Sequence, residues 1–102
     1  NKTMKFTIDE SELEQTYILE EDLISSHTRG FEDELNNFIQ NDNRDILLDL
    51  TQVTKIDSIS IALLLRIKSR LTENGRTVRL TRPNETVMRI LELAGLQDFL
   101  LD

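Results

Sequence analysis

Apolar and polar positions along the chain alternate between two periods, and the changes of period mark the elements. Phe6 and Ile8 alternate with Thr7 and Asp9, the pattern of a short half-buried strand. The acidic stretch from Asp9 to Glu14 reads as a turn. Thr16 to Leu19 (Thr-Tyr-Ile-Leu) reads as a second strand, built from residue types that suit a pleated surface. Ser25, Ser26 and Thr28 then offer hydroxyl caps for a helix in which Phe31, Leu35, Phe38 and Ile39 share one face, and Asn41 to Asn43 ends it.

Asp45 to Leu50 is a short, nearly continuous apolar run bounded by polar residues. It predicts a strand in the middle of a sheet, covered on both sides. A turn over Thr51 to Ile56 leads to Asp57-Ser58 and a helical run from Ile59 to Glu73. Gly75 stands where a helix end calls for a left-handed residue. Val78 and Leu80 alternate with Arg79 in a fourth strand over Thr77 to Thr81. After a turn at Pro83 and a cap at Asn84, Val87, Ile90, Leu91 and Ala94 mark a last amphipathic helix ending at Gly95. The apolar residues of Leu96 to Leu101 are expected to cover the core. The order is β-β-α-β-α-β-α, an α/β domain with several parallel strands and right-handed crossovers.

Composition narrows the class. The chain has 102 residues, room for one domain over 1–102, and its first methionine is Met4, so residues 1–3 read as a remnant of processing or cloning. With no cysteine, thiolate catalysis, disulfides and cysteine-bound metal are excluded. The longest apolar run, Ile61 to Leu65, is far too short to span a membrane, and a cytoplasmic domain without membrane insertion is expected. The net charge of −7 argues against nucleic acid as a partner. It is uneven, however. Residues 1–65 carry −9, whereas residues 66–89, with Arg66, Lys68, Arg70, Arg76, Arg79, Arg82 and Arg89, carry +5. These cations read as a solvated face or as one that steers an acidic partner.

Little in the sequence supports catalysis. The single histidine, His27, lies beside hydroxyls in Ser25-Ser26-His27-Thr28. A hydrolase would use it as a base; otherwise it is an exposed residue at a helix start. The three glycines, Gly30, Gly75 and Gly95, are too dispersed for a phosphate loop. Carboxylate pairs such as Asp45 with Asp49 follow from acidity alone. No enzyme activity, cofactor or metal is expected.

The informative segment is the helix that begins at Ser58. Asp57 or Ser58 can cap it, and a phosphate on Ser58 or Ser60 would be tolerated at a helix N-terminus while adding charge beside Asp57. Its apolar residues cover more than one face, so either the helix is sandwiched deeply or part of it is exposed for a partner.

Ile46 to Ser58 (Ile-Leu-Leu-Asp-Leu-Thr-Gln-Val-Thr-Lys-Ile-Asp-Ser) resembles the signature of STAS domains, the family of bacterial anti-sigma-factor antagonists. Arg76 to Thr81 and Val87 to Leu96 resemble that family's final strand and closing helix, and the likeness covers about residues 15–101. It implies a mixed sheet of four to five strands with helices mainly on one side. It further implies a protein partner, an anti-sigma serine-kinase-like ATPase, and switching by phosphorylation. The family's modified hydroxyl usually comes second after the Asp, where this chain has Ile59, and Ser60 stands where a Gly follows. The Gly-x-Leu-Asp often found after the second strand is here Glu21-Asp22-Leu23-Ile24. Asp57 to Leu65 is also similar to the STAS subunit that docks on the ATPase of a phospholipid-trafficking ABC transporter. Either likeness places the contact on Asp57, Ser58, Ile59, Ser60, Ile61, Leu64 and Leu65.

Overall fold

The computed structural model describes residues 4–99. The strands are β1 (Phe6–Glu10), β2 (Glu14–Leu19), β3 (Asp45–Asp49) and β4 (Val78–Thr81); the helices are α1 (Ser25–Asn41), α2 (Ser58–Thr72) and α3 (Glu85–Leu93), followed by a 3₁₀ turn, Gln97–Phe99. The expected order is borne out, with four strands. The sheet is mixed and runs β1-β2-β3-β4, so every strand lies beside its neighbour in the chain. β1 and β2 form an antiparallel hairpin, while β2, β3 and β4 are parallel.

One sheet face is packed. Gln15, Tyr17 and Leu19 of β2, Ile46 and Leu48 of β3, and Val78 and Leu80 of β4 are buried, and the residues between them are more exposed. Period-two side chains put all of these on one face. The helices supply the other half of the core: Phe31, Leu35 and Phe38 from α1, Leu63, Leu64, Ile67 and Leu71 from α2, and Val87 and Leu91 from α3. Phe6, Tyr17, Phe31 and Phe38 meet edge-on or tilted at ring separations of 5.3–6.3 Å.

Three expectations about burial are corrected. β3 is covered on one face only: Leu47 lies on the open face, half-buried, and its apolar run reflects central position, not double cover. Ile8 shares the packed face with Tyr17 but belongs to the edge strand, beyond the reach of the helices, and is 46% exposed. Ala94 is exposed, because α3 ends before it and the chain turns at Gly95. Leu96 and Phe99 do cover the core. Leu100, Leu101 and residues 1–3 lie outside the described residues.

The helix ends follow their sequence signals in two cases of three. Asp57 caps α2 and Asn84 caps α3, each through a side-chain oxygen. Gly75 closes α2 in the left-handed region at φ 71°, where the Arg76 amide reaches back to the Leu71 carbonyl at 2.8 Å. α1 departs. Its cap position is Ile24, with no side-chain bond, and Ser25 and Thr28 lie inside the helix. The missing cap comes from elsewhere in the chain.

Candidate functional site

That cap is Asp57. Its Oδ1 accepts the Ser60 amide at 2.8 Å, and its Oδ2 accepts the Ser25 amide at 2.7 Å. One carboxylate thus satisfies the first turns of two helices that start 33 residues apart. Burial opposes its charge, but the Ser60 and Ser25 amides prevail and hold the carboxyl below its ordinary range.

The loops that bring Asp57 there are themselves tied. Leu23 pairs with Ile56 in a single parallel bridge, with Leu23 N–H donating to the Lys55 carbonyl and Asp57 N–H to the Leu23 carbonyl, both at 3.0 Å. Asp22 Oδ1 accepts from the Thr54 amide, the Thr54 hydroxyl and the Lys55 amide at 2.8–3.1 Å. Burial is again outweighed by these donors, and the Asp22 carboxyl sits low. Asp22 therefore clamps the approach to α2 from the side chain of the preceding crossover.

The seven expected contact residues divide. Ser58 is exposed at the first position of α2, and the apolar Ile59 and Leu65 turn outward, 58% and 49% exposed. Asp57 lies half-buried beneath them, and Ile61 is half-buried against the core. Ser60 and Leu64 are corrections: both are fully buried, on the stripe of Leu63, Ile67 and Leu71 that faces the sheet. Neither presents atoms to a partner, and of the two candidate phosphorylated serines only Ser58 is accessible. The helix is sandwiched on one stripe and bare on another.

His27 is buried as well, against the expectation of an exposed residue. Its Nδ1 lies 2.9 Å from the Asp22 carbonyl and its Nε2 3.3 Å from Glu21 Oε2, so it fastens the β2–α1 loop. Among the described residues no cluster of three or more histidine and carboxylate side chains is placed to hold a metal, and no helix is long and apolar enough to cross a membrane.

Most of the cations of residues 66–89 have structural partners. Arg66 and Arg70 of α2 both reach Glu32 of α1, Arg66 with two bonds of 2.8 and 2.9 Å. Arg76 donates to the carbonyls of Arg44 and Ile39, and the Lys68 ammonium sits 4.3 Å from the Phe99 ring centre. Arg82 is exposed but pairs with Asp49 at 3.4 Å, and Arg79 and Arg89 are exposed.

Between the first turns of α1 and α2 opens a groove of about 290 Å³ lined by Ser25, Thr28, Arg29, Glu32, Ile59, Leu63 and Arg66. The sequence reading missed it, along with Asp22 and the Ser25 end of the Asp57 bridge. Each depends on two segments about 30 residues apart coming together, for which a local pattern carries no signal.

A family model, the STAS domain, matches residues 7–101. No curated protein sequence gives a significant match. Among solved structures, the Thermotoga maritima protein TM1081, described as a candidate anti-sigma factor antagonist, superposes with a TM-score of 0.86 at 25% identity over 95% of this chain and 86% of its own. The anti-sigma factor antagonist SpoIIAA in its unphosphorylated form gives 0.83 at 18% identity, over 96% and 87%. The phosphorylated form of the Bacillus protein gives 0.75 at 17%, over 96% and 90%. The chain belongs to the STAS domain family.

Proposed function

We propose that this chain is a non-catalytic, cytoplasmic regulatory module of the anti-sigma-factor-antagonist type, and that it binds a serine-kinase-like ATPase through the N-terminal turn of α2. The observation that carries the reading is the exposure of Ile59 and Leu65 beside Ser58 on a helix whose opposite stripe is fully buried. Apolar side chains that the core does not claim are the material of a protein interface. SpoIIAA has been solved in phosphorylated and unphosphorylated forms. Carried to this chain, the accessible hydroxyl is Ser58. A phosphate there would bring about −1.5 to −2 charges next to Asp57 and repel a partner resting on Ile59 and Leu65.

A second reading is favoured by Ile59 itself. Its side chain occupies the place where the antagonists usually carry the modified hydroxyl, which suits a constitutive contact such as a STAS subunit on a transporter ATPase.

One experiment separates them. Wild type and Ser58→Asp serve as baits in extract of the native cell, with captured proteins identified by mass spectrometry. A small kinase-like ATPase held by wild type and lost by Ser58→Asp supports the first reading, and a transporter ATPase behaving so supports the second. Identical partners on both baits would remove Ser58 from the contact.

A further inference from the structure

The groove between α1 and α2 has features that the α2 surface alone does not explain. Its floor is apolar, formed by Leu63 and the exposed Ile59. Its wall holds Thr28, which is only 3% exposed. At the rim stands Arg29, exposed and without an ion-pair partner within 4.0 Å among the described residues, although the chain as a whole carries −7. The second arginine, Arg66, is held by Glu32. The lining therefore combines two guanidinium groups with one carboxylate, and that carboxylate is already engaged.

We propose that this groove receives an apolar side chain followed or preceded by a carboxylate, both from an acidic segment of the protein partner. The apolar group seats on Ile59 and Leu63; the carboxylate accepts from Thr28 Oγ1 and pairs with Arg29. Charge complementarity chooses this occupant. A basic segment would meet the unpaired guanidinium of Arg29, and a purely apolar one would leave that guanidinium desolvated. The groove is continuous with the exposed Ile59, so it widens the contact around Ser58 to include the first turn of α1. This inference rests on the protein-binding reading above.

The probe is a random dodecamer peptide library displayed on phage, selected on the immobilised whole chain with the Ile59→Arg variant as competitor. Enriched peptides are expected to pair Asp or Glu with Leu, Ile or Phe. Titrated into the ¹⁵N-labelled chain, they should shift the amides of Thr28, Arg29 and Ile59. Replacing their acids by Gln, or the chain's Arg29 by Gln, should weaken binding about ten-fold, the scale of one lost charge-assisted contact. Peptides without an acidic preference, shifts confined elsewhere, or no peptide that depends on Ile59 would overturn the proposal. If it falls while Ser58→Asp still releases a native ATPase, the protein-binding reading survives alone. If Ser58→Asp releases nothing either, both fall.

Discussion

At the scale of single residues, Asp57 concentrates the most consequence in the fewest atoms. A capping side chain contributes about 1 kcal/mol, and this carboxylate caps two helices, so Asp57→Ala is expected to cost about 2 kcal/mol in urea unfolding. Asp57→Asn should recover roughly half of that loss, since an amide keeps one acceptor oxygen and turns an N–H donor toward the other backbone amide. The pH dependence follows from the same geometry. Asp22, Asp57 and Glu32 all hold their carboxyls below the ordinary range, Glu32 chiefly through Arg66. Depressed carboxylates stabilise the fold fully above the unfolded value of about 4 and lose that contribution as the pH falls through the folded values. The urea midpoint should therefore drop from about pH 5 downward, and less steeply in Asp57→Ala. An equal slope in the variant would mean that Asp57 is not a linked group. Half of this site was legible in advance: an Asp before a helical run announces its own cap. The Ser25 amide at its other oxygen was not, because nothing near Ser25 in sequence points to residue 57.

At the scale of elements, α2 carries two surfaces, and adjacent leucines tell them apart. Leu64→Ala empties core volume and should cost about 2–5 kcal/mol. Leu65→Ala next to it should stay within about 0.5 kcal/mol in stability, yet weaken capture of the ATPase partner. If the Leu65 variant binds as well as wild type, the contact surface lies off this stripe. The apolar run from Ile61 to Leu65 showed only that the helix has too many apolar residues for one stripe. Which of them turn outward was set by the register of α2 on the sheet, with Ser60, Leu63, Leu64, Ile67 and Leu71 facing it. The α1–α2 contact adds the Glu32 bridge to Arg66 and Arg70. Both arginines are nearly half exposed, so the bridge fixes alignment more than it stabilises.

At the scale of the molecule, the sequence period gave away the order of elements and the resemblance gave the one-sided sheet. The parallel pairing of β2, β3 and β4 follows from helical crossovers laid on a single face. The uncovered face was hidden from the period analysis because Leu47, in the central strand, is apolar on the open side. The strand order, β1 to β4 as in the chain, also bears on how the fold is reached. No strand must wait for a distant one to be inserted beside it, so each added unit closes only the loop of its own helix. The structure can grow by accretion from the β1–β2 hairpin or from any β-α-β step. Refolding after stopped-flow dilution from urea should be a single exponential between milliseconds and seconds, because the β2–β3 and β3–β4 pairings each join residues about 30 apart. A main phase of minutes would show that some step outside this strand order limits the rate.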